Sequence, residues 1–227
     1  MKILLRNRLK ANLALPVCIL MASCGAIKDS PKYQLSDDVY EYRQKGAKYQ
    51  KVNVYVKDDT IRITSFDNPE KSVLIMHATD QLFLKKSFDV DVITIPFKYR
   101  PAISTLPRQL TTDFNGNVFV GYRFDRFKIK YNATPVGIKK DLIHRALTLG
   151  FFGGLGSTSV TPSTTNGFTA DEYDGLVLSR GVALMFGLKT LTVGFGIGWD
   201  SLTDRDKDIW IYQNKAWYGL TLGLNLN

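Results

Sequence analysis

The amino-acid sequence predicts an all-β protein: a small antiparallel up-and-down β-barrel of about eight strands, preceded by a short β-hairpin module. Three observations predict it. Leu191, Val193, Phe195, Ile197 and Trp199 alternate with Thr192, Gly194, Gly196, Gly198 and Asp200, and a period of two is that of a strand. Similar alternation recurs through the C-terminal half of the chain. The polar connections between these stretches are long at about 101–112, 157–174 and 201–215 and short at about 132–140 and 188–190, which is the loop asymmetry of an up-and-down barrel. The strand at Leu191 carries no Lys, Arg or Glu on its second face. A sheet bathed in water turns a charged face outward. An apolar face opposite small residues is what a lipid-facing strand around a narrow lumen needs.

Composition sets the outer bounds. An apolar content of 44% in 227 residues is enough for a core and argues against gross disorder. The formal net charge is +9, of which Lys2, Arg6, Arg8 and Lys10 supply four, leaving +5 for the rest. That mild excess suits solubility and anionic headgroups. No basic helix or Lys/Arg run is present, so nucleic acid is not expected as a partner. Cys18 and Cys24 both lie near the N-terminal apolar stretch, which leaves no disulfide framework in the rest of the chain.

Residues 1–23 read as a signal peptide, with a basic start, an apolar core from Ala11 to Met21, and small residues at Ala22 and Ser23. The run Leu20-Met21-Ala22-Ser23-Cys24 resembles the lipobox of bacterial lipoproteins, with Met21 where leucine is usual. The resemblance implies cleavage before Cys24. It also implies covalent diacylglycerol and an N-acyl chain on Cys24, and no other cofactor is expected. Residues 24–31 then form a tether.

Residues 32–87 read as a small β module. Val52, Val54 and Val56 alternate with polar residues, Asp58 and Asp59 mark a turn, and Ile61 and Ile63 resume the pattern, as in a hairpin. Short strands follow at Ser72–Met76 and Leu82–Leu84. The charged outer face places this module in water.

Residues 88–227 read as the barrel. Ile93, Ile95, Phe97 and Tyr99 form one alternating set, with Pro96 implying a bulge or an edge. In 117–131 the apolar parity flips at Asp125-Arg126, and a single bulged strand is expected there. Further strands follow at 147–152, 181–187, 191–200 and 218–226. The C-terminal part is similar to small Gram-negative outer-membrane barrels, although it ends in Leu226-Asn227 rather than in an aromatic residue. Trp199, Trp210, Trp217 and Tyr218 are expected as membrane-interface aromatics.

Chemistry is sparse. His77 and His144 sit in no metal-ligating pattern, and no metal site is expected. Asp204, Asp206 and Asp208 begin like a calcium loop, but Ile209 replaces its glycine and Lys215 its glutamate. His144 with Ser157 or Ser179 could imitate a lipid hydrolase or acyltransferase, yet nothing local selects a pair, and catalysis is not expected. The expected function is a structural or surface-binding role in the outer membrane. Outer-membrane lipid, envelope or surface proteins and further copies of the chain are its candidate partners. The alternative is a soluble lipoprotein with a β-sandwich or lipocalin-like barrel around a small hydrophobic ligand.

Radiolabelled palmitate is expected to enter the wild-type protein and not Cys24→Ser. Equal labelling of both would show that Cys24 carries no lipid.

Overall fold

A computed structural model of the chain describes residues 32–44, 46–57, 60–66, 72–74, 80–103, 106–188 and 191–224. Residues 1–23, the tether 24–31 with Cys24, the turn residues Asp58 and Asp59, His77 and the final Leu226-Asn227 lie outside them.

The protein is an all-β antiparallel barrel with a sheet extension. The strands are β1 (Asp38–Gln44), β2 (Gln50–Lys57), β3 (Thr60–Ser65), β4 (Ser72–Leu74), β5 (Gln81–Arg100), β6 (Gln109–Thr111), β7 (Asn115–Thr134), β8 (Gly137–Val160), β9 (Tyr173–Leu188), β10 (Leu191–Leu202) and β11 (Ala216–Leu224). Their order across the sheet is β11-β10-β9-β8-β7-β5-β1-β2-β3-β4, and β11 also pairs with β5. That second pairing closes a ring of six: β5, β7, β8, β9, β10 and β11. The expected count was about eight. Strands β1 to β4 extend the sheet beside the first half of β5 and stay outside the ring.

β5 is the shared member. Its first residues pair with β1, from Gln44↔Gln81 to Glu41↔Leu84. Its second half pairs on the same edge with β11, from Gly223↔Ile93 to Tyr218↔Tyr99. The boundary expected between 87 and 88 therefore falls inside one strand, and residues 32–226 form one compact unit. The hairpin of β2 and β3 is present, with Lys57↔Thr60 as its last pair.

The core of the extension is apolar. Tyr40 meets Phe83 and Phe127 edge-on, with ring centroids 6.0 and 5.9 Å apart. Val52, Val54, Ile61, Ile63 and Ile129 complete it.

Of the two bulges expected, the one at Pro96 is present and the one in 117–131 is not. In β7 the ladder to β8 runs unbroken from Asn115↔Gly156 to Thr134↔Gly137, and that to β5 is equally regular. Odd-numbered residues face inward along β7 from Asn115 to Ile129. The parity flip at Asp125-Arg126 is therefore a change of surroundings. Within the ring, the outward residues of β7 are apolar, and its inward ones are polar or glycine apart from Phe119. Beyond it, Phe127 and Ile129 turn into the apolar core while Arg126, Lys128 and Lys130 face out. The register shift lies in β5, where Ile95 and Pro96, between Thr94 and Phe97, oppose the single residue Thr221 between Leu222 and Leu220. Pro96 sits inside it, as a residue without an N–H should. The shift turns Phe97 and Tyr99 outward and Lys98 and Arg100 inward, so Ile93, Ile95, Phe97 and Tyr99 do not share a face. Asn115 braces the bulge: its Oδ1 accepts from Ile95 N at 2.7 Å and its Nδ2 donates to Ile95 O at 2.7 Å.

Glycine permits the narrow ring. A Cβ on Gly194 would stand 2.2 Å from the Leu184 carbonyl oxygen, and one on Gly198 2.3 Å from the Trp217 ring, whereas one on Gly196 meets nothing nearer than 3.2 Å. Gly194→Ala and Gly198→Ala are thus expected to lower stability by about 1–3 kcal/mol, the usual cost of overpacking, and Gly196→Ala by less. Denaturant midpoints of the three variants test the ranking.

Candidate functional site

Three layers fill the ring, and β5 contributes to each. Asp89 and Asp91 point into the end served by the short turns, here the base. Ile93 and Ile95 point into the middle. Lys98 and Arg100 point into the end served by the long loops, the mouth.

The middle layer is an apolar plug of Ile93, Ile95, Phe119, Phe152, Ala183, Met185 and Trp217. A ring this small is filled by its own side chains.

The base layer is ionic. Arg123 Nε donates to both Asp125 oxygens, at 2.9 and 3.0 Å, and its Nη1 reaches Asp89 at 3.4 Å. Lys32 spans Asp89 at 2.7 Å and Asp91 at 3.2 Å. His144 Nε2 lies 2.7 Å from Asp125, and its ring stacks on Phe127 at 4.5 Å.

The mouth layer centres on Asp200, which is fully buried. It accepts from Lys98 at 3.0 Å, Arg100 at 2.5 Å and Ser179 at 2.7 Å. Lys98 lies 4.8 Å from the Trp217 ring centroid, and the Arg100 guanidinium 5.0 Å from that of Tyr212 and 5.5 Å from that of Trp210. Such faces favour cations.

Over the mouth the long loops form a lid. Ile211 N donates to Thr164 O at 3.0 Å, Tyr173 donates to Asp206 at 2.9 Å, and Tyr212 donates to Gln109 at 3.0 Å. These bonds link loops 161–172, 203–215 and 101–114. Val160, Val177, Leu202, Trp210 and Tyr212 form the lid's apolar core. Burial holds the Tyr212 phenol above its ordinary pKa, which keeps it a donor.

The outer surface is the inverse of the lumen. Outward positions are Phe88 to Thr94, Phe97 and Tyr99 on β5, Val118 to Phe124 on β7, Leu147 to Leu155 on β8, Val182 to Leu188 on β9, Leu191 to Trp199 on β10, and Tyr218 to Leu222 on β11. None of these is charged, and the outward Arg180 of β9, paired with Trp199 and Gly153, marks the belt's mouth edge. Phe88 is 71% exposed, Phe151 73% and Phe195 68%. On β10 the odd-numbered residues face out and Thr192, Gly194, Gly196 and Gly198 face in. At the base the belt ends at Lys86, Arg126 and Arg145. An apolar cavity of about 520 Å³ runs along it beside Phe97, Phe195, Ile197 and Leu220.

The expected site residues part company here. Trp199 and Tyr218 stand on the outward face at the belt's mouth side, at 36% and 49% exposure. Trp210 and Trp217 do not reach that surface. Both are buried, Trp210 in the lid and Trp217 in the plug. Ser179 serves Asp200 and His144 serves Asp125, so no serine–histidine pair forms between them. Asp204 and Asp206 accept from Leu176 N and the Tyr173 hydroxyl within the lid. No cluster of metal-ligating side chains occurs among the described residues. The buried charges were missed. Phe88, Val90 and Val92 alternating with Asp89 and Asp91 signalled the base layer, whereas Lys98 and Arg100 could be placed only with the bulge known.

Comparison with family models, with characterised proteins and with solved structures finds no match.

Asp200→Asn is expected to destabilise the fold by about 3–5 kcal/mol, because two buried cations lose their anion. Ser179→Ala removes one hydrogen bond, about 1 kcal/mol. Thermal midpoints should separate the two clearly, and equal midpoints would show that the ion cluster does not hold the mouth.

Proposed function

We propose that the chain is a lipid-anchored β-barrel of the outer membrane with a structural or surface-binding role, whose lidded mouth is the recognition surface. The observation that carries the reading is the uncharged apolar belt around all six ring strands. In water each such side chain would forgo roughly 1.5–3 kcal/mol of burial, and a continuous girdle far exceeds the few hundred Å² that a soluble monomer tolerates.

The borders support the same reading. On β10 the belt spans Leu191 to Trp199, nine residues, against about nine to eleven for a tilted membrane strand. Tyr99, Trp199 and Tyr218 lie toward its mouth edge, where rings with a polar rim favour headgroups. At the base edge Arg126 and Arg145 are direct cross-strand partners. Like charges side by side repel, and an anionic headgroup between them relieves the repulsion.

The plugged lumen supports neither conduction by a single chain nor an interior site for a hydrophobic ligand. A binding role is favoured over catalysis by His144 and Ser179, which are engaged with different carboxylates.

Purified Cys24→Ser protein is expected to need detergent and to migrate faster on gels before boiling than after. Phe195→Arg puts a charge on the lipid face at a cost of about 2–4 kcal/mol near the midplane and should fail to reach a protease-resistant form in membranes. A Cys24→Ser protein that is monomeric and stable in plain buffer would overturn the membrane reading.

A further inference from the structure

Beneath the lid is a second cavity, of about 290 Å³, between the mouth layer and loops 101–114 and 161–172. Eight of its twelve lining residues carry a hydroxyl, and Leu110 is its single aliphatic member. Two polar atoms of its lining residues have no partner among the described residues: Nη1 of Arg100 and Oγ1 of Thr111. Arg100 is 1% exposed, its Nη2 is committed to Asp200, and Trp210 and Tyr212 flank its guanidinium. Buried donors without acceptors cost about 1–3 kcal/mol each and are rare in folded proteins. Two of them in the lining of one cavity point to a group that arrives from outside.

The chemistry of the wall narrows that group. A guanidinium nitrogen calls for an anionic acceptor and gives it a charge-assisted bond. The hydroxyls call for a ligand that both donates and accepts. Asp113 also lines the cavity, with Thr158 Oγ1 3.4 Å from its Oδ2. Its carboxylate accepts hydroxyl donors. The volume lies at the small end of ligand sites and suits one sugar ring. We infer that the mouth cavity binds an acidic monosaccharide unit, with its carboxylate or phosphate ester on Arg100 and its ring hydroxyls on the Thr/Ser wall and Asp113. This deepens the proposed recognition role of the mouth. The unit comes either from a free sugar or from the headgroup of a glycolipid.

The full chain, purified in detergent, tests it by tryptophan fluorescence, since the Trp210 ring centroid lies 5.5 Å from the Arg100 guanidinium. Glucuronate or glucose 6-phosphate is expected to change the signal saturably. Neutral glucose and inorganic phosphate should bind at least about tenfold more weakly, each lacking one half of the match. Thr111→Val removes an unpartnered hydroxyl, so it should fold as wild type yet bind about tenfold more weakly, one hydrogen bond's worth. Arg100→Lys keeps the charge but loses the fork and should weaken binding further. Thr192→Val removes an equally unpartnered hydroxyl outside the cavity and should leave binding unchanged. Lipopolysaccharide micelles form the second arm. Binding of micelles and not of free sugars, lost in Thr111→Val, assigns the ligand to a glycolipid. Binding of free sugars assigns it to a soluble source. No response to either, or a response that Thr111→Val leaves intact, overturns the inference. Detergent partition of the same samples keeps the outcomes apart. A protein that partitions but binds no sugar loses only the cavity assignment, and one that binds sugar but stays in buffer loses only the membrane reading.

Discussion

Six strands close into a ring too narrow to hold anything but its own side chains, and most of the structure answers to that limit. Glycine occupies inward positions where a Cβ would strike a neighbouring carbonyl or ring, as at Gly194 and Gly198. Large rings such as Trp217 and Phe152 fill the space so released, at a centroid separation of 5.8 Å. Closure itself falls at the β5–β11 seam, where the bulge at Pro96 shifts the register. A bulge leaves backbone groups unpaired, and a buried unpaired amide is expensive. Asn115 supplies both the missing donor and the missing acceptor for Ile95. One side chain thus satisfies the seam from inside.

The same limit explains why charges are buried. The outward positions of the ring are apolar, and its lumen holds buried Asp, Lys and Arg. A charge without partners would be prohibitive in a dry interior. Asp200 is matched with Lys98 and Arg100, and Asp89 and Asp125 with Arg123 and Lys32. Such pairs add little net stability over an apolar core, but the loss of one member is costly.

The period-two signal made the fold legible, because alternation depends only on each strand's own residues. The strands of the ring, the odd-numbered outward face of β10 and the long and short connections could all be read that way. What could not be read depended on partners distant in the chain. The parity flip in β7 looked like a bulge because alternation reports polarity and not direction. Val118 to Phe124 face out and Phe127 and Ile129 face in along one regular ladder, and the surroundings change between them. Trp210 and Trp217 looked like interface aromatics for a similar reason. Their neighbours Trp199 and Tyr218 do face out, but Trp217 is one residue out of phase with Tyr218, and Trp210 lies in a loop whose packing depends on Tyr212, Val160 and Leu202.

The two ionic layers differ in balance, and the difference bears on the mouth. At the base, Asp89, Asp91 and Asp125 face Arg123 and Lys32, with His144 as the sixth member. At the mouth, Asp200 accepts from both Lys98 and Arg100, and Asp113 lines the cavity beside Arg100. An excess cation in a buried site needs an anion or a polarisable face. Trp217, Trp210 and Tyr212 provide the faces, and Asp113 lies at the cavity beyond. The guanidinium therefore has its Nη2 on Asp200, its planes beside aromatic rings, and its Nη1 left over. Of the two ends of the lumen, the one where two buried cations share a single buried carboxylate is the one that adjoins a polar cavity beneath the long loops. The apolar plug separates this end from the base, so a ligand's charge at the mouth is felt first by Arg100 and Asp200.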